Sequence, residues 1–138
     1  MGKLVALDIG GKRSGIAETD PLQMIASPRE VVATGALLDY LKKWFQAEPP
    51  EALILGEPRA LDGGDSDNSA RTRRWYEALK KAFPDLPLHW QDERFSSKRA
   101  AQALVTSGVK KEKRRAKGSK DAISAALILE DFMKGRTA

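Results

Sequence analysis

Cysteine is absent from this 138-residue chain. Its absence excludes disulfides and thiolate metal sites and fits a reducing, cytoplasmic setting. Histidine occurs once, at His89 in a strand-like stretch, and is assigned no chemistry. No apolar run approaches the roughly 18 residues of a membrane span, and no secretory signal precedes the first strand. There is no internal repeat and no linker-like stretch to divide the chain. One domain over residues 1–138 is therefore expected, long enough to bury a real core.

What the chain does have is charge: 24 Lys and Arg against 19 Asp and Glu, a formal net charge of +5. Hydrophobic content of 41% beside 31% charged residues is ordinary for a globular protein. A positive balance suits a polyanionic partner, but the placement of the charge matters more than its sum.

Hydrophobic patterning predicts the order of elements. Leu4 to Leu7, Ser14 to Thr19 and Ser27 to Ala33 read as three strands joined by short connections. From Gly35 the period becomes helical, with Leu37, Leu38, Leu41, Trp44 and Phe45 on one face until Pro49-Pro50. Ala52 to Leu55 follows as a buried strand ending at Gly56-Glu57-Pro58, and then comes a polar loop, Leu61 to Asn68. A second helix carries Trp75, Ala78, Leu79, Ala82 and Phe83; a last strand, Leu86 to Gln91, runs into Asp92-Glu93-Arg94. A helix is expected near Ser97 to Thr106. The final helix starts near Ser119, with Ile123, Ala126, Leu127, Leu129 and Phe132 or Met133 turned to the core. The fold class is α/β: a mixed sheet of about five strands, antiparallel in its first half and parallel in its second, with helices on both faces.

Acids cluster where such sheets carry their sites, at the carboxyl ends of strands. Asp8 follows the first strand, Glu57 the fourth, and Asp92 and Glu93 the fifth, while Asp121 lies in the first turn of the last helix. Each has a local role open to it: Asp8 could start the glycine turn, and Asp121 could complement the helix dipole. Together they suggest a site for hard cations, because converging carboxylates repel unless a cation lies between them. Mg²⁺ or Mn²⁺ suits oxygen ligands without Cys or His. Two such ions roughly 3.5–4 Å apart support phosphodiester cleavage.

Cations accompany the acids. Lys12 and Arg13 sit beside the turn glycines, where backbone N–H groups could help grip a phosphate. Arg71, Arg73 and Arg74 come near a helix N-terminus, a placement suited to an anion rather than to the dipole. Between Lys110 and Lys120 stand seven basic residues, among them Lys113, Arg114, Arg115, Lys117 and Lys120, against the single acid Glu112. This run flanks Asp121. Contacts of this type give affinity and salt dependence without sequence specificity.

The segments "LVALDIGGKRSGIAETD", "ALILGEP", "DERFSS" and "KGSKDAISAALILEDF" resemble, in order and over nearly the whole chain, the motifs of the YqgF (RuvX) family of bacterial ribonuclease H-like proteins. The resemblance implies a ribonuclease H-like fold whose second strand is antiparallel to the rest. It implies a nuclease for the 5′ end of precursor small-subunit ribosomal RNA, with Holliday-junction resolution as the alternative. Carried over by position, the acids are Asp8, Glu93 and Asp121, with a two-ion Mg²⁺ or Mn²⁺ site. Arg94 and the basic residues above would contact RNA, or branched DNA in the alternative.

Two departures stand out. Glu57 in "GEP" is an acid where the family pattern has an apolar residue, so it could enlarge the metal site. The loop "RALDGGDSDNS" is unusually acidic.

Other classes remain open in the sequence. A nucleic-acid-binding module without catalysis would use the same basic surfaces. "DIGGKRSGIA" also looks like the first phosphate loop of actin-like ATPases and sugar kinases, which need a second domain for which this chain has no room. A monomer and a homodimer are both compatible with the sequence, although a resolvase acting on paired strands needs two active sites.

Overall fold

A computed structural model describes residues 2–57, 67–92 and 119–137. The expected helix near Ser97 to Thr106 and most of the basic run lie outside the described residues. Those described form strands β1 (Leu4–Ile9), β2 (Arg13–Thr19), β3 (Ala26–Ala33), β4 (Ala52–Glu57) and β5 (Leu88–Asp92). Helices α1 (Leu37–Ala47), α2 (Asp67–Ala82) and α3 (Ser119–Thr137) accompany them.

The strands make one sheet in the order β3-β2-β1-β4-β5. β2 runs antiparallel to both neighbours, while β1 pairs parallel with β4, and β4 with β5. The two central strands, LVALDI and ALILGE, read as nearly continuous apolar runs because both of their faces are covered.

Alternation along the strands divides the core in two. Val5, Leu7, Ile9, Ile16, Leu53 and Leu55 pack against Leu37, Leu41, Trp44 and Phe45 of α1 and Leu79 of α2. On the other face Leu4, Ala6, Ala17, Ala52 and Ile54 meet Ala125, Ala126, Ile128 and Leu129 of α3. Alanines thin this face on both sides, Ala6, Ala17 and Ala52 on the sheet and Ala125 and Ala126 on the helix, beside the larger Leu4, Ile54, Ile128 and Leu129.

The closest approach is at Gly15. A Cβ there would lie 2.0 Å from the carbonyl oxygen of Asp121 and 2.8 Å from the amide nitrogen of Ala122. Both neighbours are helix backbone and cannot swing aside, so the position tolerates only hydrogen.

Three expectations shift. β1 extends to Ile9, which puts Asp8 inside the ladder opposite Gly15 rather than at the start of the turn. α2 begins at Asp67, so the expected polar loop gives up its last residues to the helix. In α3 Ala126 and Leu129 are buried as expected, with Phe132 and Met133 packed beside them, but Ala122, Ser124, Ala125 and Ile128 are buried as well, whereas Ile123 and Leu127 are half-buried. The helix is apolar on most of its circumference, so its sequence period does not choose a face. The contact with the sheet does, by burying Ala125, Ala126, Ile128 and Leu129.

The turn between β1 and β2 is fixed from within and from outside. The Gly10 amide donates to the Arg13 carbonyl at 3.0 Å, and a Cβ at Gly10 would lie 2.6 Å from that same oxygen. Thr34, in a short 3-10 turn after β3, clamps the other side. Its amide donates to the Lys12 carbonyl at 2.9 Å and its hydroxyl to the Gly10 carbonyl at 2.7 Å; Ser14 Oγ lies 2.8 Å from the same hydroxyl. Ser14 and Thr34 are both buried.

A second polar group ties β2 to α1 and β3. Lys3 Nζ donates to Glu18 at 2.7 Å and to Glu48 at 2.8 Å; Arg29 pairs with Glu18, donates to the Tyr40 hydroxyl at 2.8 Å and lies 3.8 Å above the Trp44 ring. Partial burial alone would raise the Glu18 carboxyl, but hydrogen bonds from Lys3 and Arg29 outweigh it and hold it below its ordinary value of 4.5. Its contribution to stability is therefore present above pH 4.5 and fades as the pH falls below that value.

Two outcomes are expected. Gly15→Ala loses about 2–3 kcal/mol or more in urea unfolding, because overpacking here pushes on backbone; an unchanged midpoint would mean that α3 is not seated on β2 as described. Glu18→Gln lowers the thermal midpoint at pH 7, and its gap to the unmodified protein narrows at acidic pH. A gap of the same size at pH 3 and pH 7 would show that the carboxylate charge is not its source.

Candidate active site

All the parallel strands deliver their carboxyl ends to one pole of the sheet, and the β1–β2 turn closes that pole above β1. Asp8 is the last even-numbered residue of β1. By alternation it shares the α3 face with Leu4 and Ala6, one ladder step from Gly15. The N-terminal turn of α3 lies over Gly15 with Asp121 at the point of contact. Cross-strand partners are roughly 5 Å apart at Cα, so the Asp8 and Asp121 backbones lie within roughly 10 Å of each other. Backbones 113 positions apart in the chain come this near because Gly15 leaves no side chain between them.

Arg13 opens β2 at the same pole, and its Nε donates to Asp121 Oδ2 at 3.3 Å. Both side chains keep substantial access to solvent, at 44% and 33% exposure. The expectation for Arg13 was a phosphate; here the guanidinium holds a carboxylate of the candidate cluster. Lys12, next to it in the turn, is exposed. Thr34 and Ser14, which the sequence reading passed over, hold this turn in place. A Ser and a Thr separated by twenty residues carry no spacing signal, and only the return of β3 to β2 joins them.

The other candidates divide by register. Glu57 ends β4, and alternation sets it on the face of Leu53 and Leu55, opposite to that of Asp8. Asp92 ends β5 as the ladder partner of Glu57. Glu93, Arg94, Lys113, Arg114, Arg115 and Lys117 lie outside the described residues. Lys120 lies in the first turn of α3, one residue before Asp121. Among the described residues no three His, Cys, Asp or Glu side chains converge as a metal site; Asp8 and Asp121 are the two candidate acids that the described residues bring to one face as a pair. The pair offers only carboxylate oxygens, the donor set that suits Mg²⁺ or Mn²⁺.

On the opposite face, Arg71 of α2 reaches the same turn. Its Nη2 lies 3.3 Å from the position a Cβ would take at Gly11. Arg71, Arg74 and Trp75 line a cleft of about 320 Å³ with Leu38 and Ala78. No described helix is long and apolar enough to cross a membrane.

Comparison with known proteins places the chain in a family and a fold. The family model described as "RuvX: Holliday junction resolvase" matches residues 2–135. A relative from Christiangramia forsetii, named "Putative pre-16S rRNA nuclease", is 40% identical over 133 residues, covering 96% of this chain and 98% of its own. One of the same name from Phocaeicola vulgatus is 38% identical over 136 residues, covering 99% and 98%.

Among solved structures, Thermus thermophilus RuvC in complex with a Holliday junction superposes with a TM-score of 0.60 at 21% identity, covering 100% of this chain and 98% of that one. The fowlpox virus resolvase, solved with Holliday junction DNA, gives 0.65 at 11% identity, covering 99% of each. At such identities these two likenesses establish the fold, which is ribonuclease H-like. With a family model matched along almost its full length and relatives near 40% identity, this chain belongs to the RuvX family.

Proposed function

We propose that the chain is a divalent-metal-dependent nuclease that trims the 5′ end of precursor 16S ribosomal RNA. The observation that carries the reading is the meeting of Asp8 and Asp121 across Gly15. A carboxylate inside a ladder at the carboxyl pole, with the backbone of a second acid brought close by a glycine-only contact, is an arrangement suited to holding a hard cation. The names of the relatives supply the RNA substrate, and the family resemblance supplies Glu93 as the third acid. In sequence Glu93 follows Gln91 at the two-residue spacing of one strand face, and Gln91 is the ladder partner of Gly56.

Asp8, Glu93 and Asp121 would hold Mg²⁺ or Mn²⁺; Glu57, on the other face, would not join them. When bound, a pair of such ions activates water and stabilises the leaving oxygen in phosphodiester hydrolysis. The protein's own groups do the rest. The clamped turn presents Lys12 to the phosphate backbone, with Lys120, Arg94 and the basic residues 113–117 extending the contact. Arg13 offsets the charge of Asp121 and can exchange it for a substrate phosphate, since both partners reach solvent. Such contacts position a strand without reading its sequence. The chain would act as one domain, in the cytoplasm, as a monomer or a homodimer.

Junction resolution is the second reading, favoured by the description of the family model. It requires two active sites on paired strands, and so a dimer.

A direct test compares precursor ribosomal RNA with a four-way DNA junction, in Mg²⁺, in Mn²⁺ and with chelator, with the oligomeric state measured on the same sample. RNA cleavage that stops with chelator is expected. Preference for the junction by a dimer would transfer the assignment to resolution. Binding without any cleavage would leave a non-catalytic module. Asp8→Asn should lower the cleavage rate about 1,000-fold or more while sparing thermal stability and most of the affinity; cleavage at the original rate would remove Asp8 from the chemistry.

A further inference from the structure

The cleft on the α1 side of the turn has a composition that phosphate binding alone does not explain. Arg71, Arg74, Trp75 and Ala78 follow one another on α2 at the spacings of a single helical face. Leu38 of α1 lies across from them, and together they enclose about 320 Å³. The guanidiniums offer positive charge to an anion. The indole and its small neighbour call for something else.

Trp75 is half-buried, with one part packed on the core and another lining the cleft. A ring seated in this way is already ordered, so little entropy is lost when a flat ligand stacks on it. The adjacent aromatic, Tyr76, is differently engaged: it stacks on Trp90 with centroids 4.9 Å apart and planes 17° from parallel. Ala78 leaves room beside the indole where a longer side chain would close the cleft. Arg71 links this space to the catalytic pole, because its guanidinium leans over Gly11, three residues beyond Asp8.

We propose that this cleft is a subsite for one unpaired nucleotide, with the base stacked on Trp75 and the flanking phosphates on Arg71 and Arg74. A base inside a duplex has no free face to offer, so the subsite selects single-stranded or splayed segments next to the bond to be cut. The proposal rests on the nuclease reading only in taking a polynucleotide as the ligand. It adds a selectivity for unpaired strand that the phosphate contacts cannot provide.

Binding is measured on the cleavage-silent Asp8→Asn protein, with uridine RNA and thymidine DNA strands about twelve nucleotides long and with a duplex of equal length. Trp75→Leu is expected to weaken single-strand binding about ten-fold or more and duplex binding less than about two-fold. Trp75→Phe, which keeps a ring, should restore most of the loss. Arg74→Ala should weaken both forms and reduce the salt slope by about one. Equal losses for strand and duplex in Trp75→Leu, or no loss for either strand, would overturn the subsite.

Photocrosslinking of a 4-thiouridine strand to the unsubstituted Trp75 protein gives a second readout that does not depend on the variant folding. Label on the tryptic peptide from Trp75 to Lys80 is expected, and label confined to other segments would overturn the proposal. Cleavage by the unmodified protein is assayed in parallel. Trp75-dependent strand binding without cleavage removes the nuclease reading and keeps the subsite, whereas cleavage without Trp75 dependence does the reverse.

Discussion

One steric constraint organises this molecule: the backbone of α3 rests on β2 at a residue with no side chain. Gly15 lets the Asp121 carbonyl come closer to the sheet than any Cβ would allow. That contact sets the height of the helix N-terminus above the ladder, and with it the distance between a strand carboxylate and a helix carboxylate. The small residues farther along the interface, Ala6, Ala17, Ala52, Ala125 and Ala126, keep the same close spacing. A side chain at Gly15 would hold the start of α3 off the ladder.

The two faces of the sheet thus do different work. The α1–α2 face is a conventional core of large side chains, sealed at its border by Phe45 against Phe83, with ring centroids 5.3 Å apart, and by Arg29 over Trp44. It supplies most of the buried apolar surface and hence much of the driving force for folding. The α3 face gives up some of that surface to bring acids together. Between them the β1–β2 turn belongs to both faces. Thr34 and Ser14 clamp it from the α1 side, Arg13 extends it to Asp121, and Arg71 overhangs it at Gly11. A phosphate chain laid across this turn would meet acids on one flank and the Trp75 cleft on the other.

Much of this was legible in the linear chain, and the exceptions share a cause. The strands around Leu4, Ile16, Ala52 and Trp90 stood out because apolar runs between glycines and prolines leave few other options. Asp8 was recognisable because an acid after such a run is out of place in a core. Its neighbour across the ladder was not, since Gly15 reads as an ordinary strand glycine until a helix from the far end of the chain is laid on it. The inward face of α3 was read in part: Ala126, Leu129, Phe132 and Met133 do pack on the sheet, whereas Ile123 and Leu127 are only half-buried, because apolar residues lie on most sides of this helix and periodicity alone does not choose among them.

By itself the sequence determined the kinds of element, their order and the family, and it singled out the candidate acids. These follow from local patterns, from composition and from motifs read in series. Only the tertiary structure decided which acids share a face. Side chains alternate strictly across a strand, so the register separates Glu57 from Asp8 although both lie at the same pole. It also decided that Arg13 pairs with Asp121, and that Arg71, Arg74 and Trp75 line an open cleft beside the turn. Such relations are distances between parts of the chain that are remote in sequence, and they come into being when the sheet is assembled.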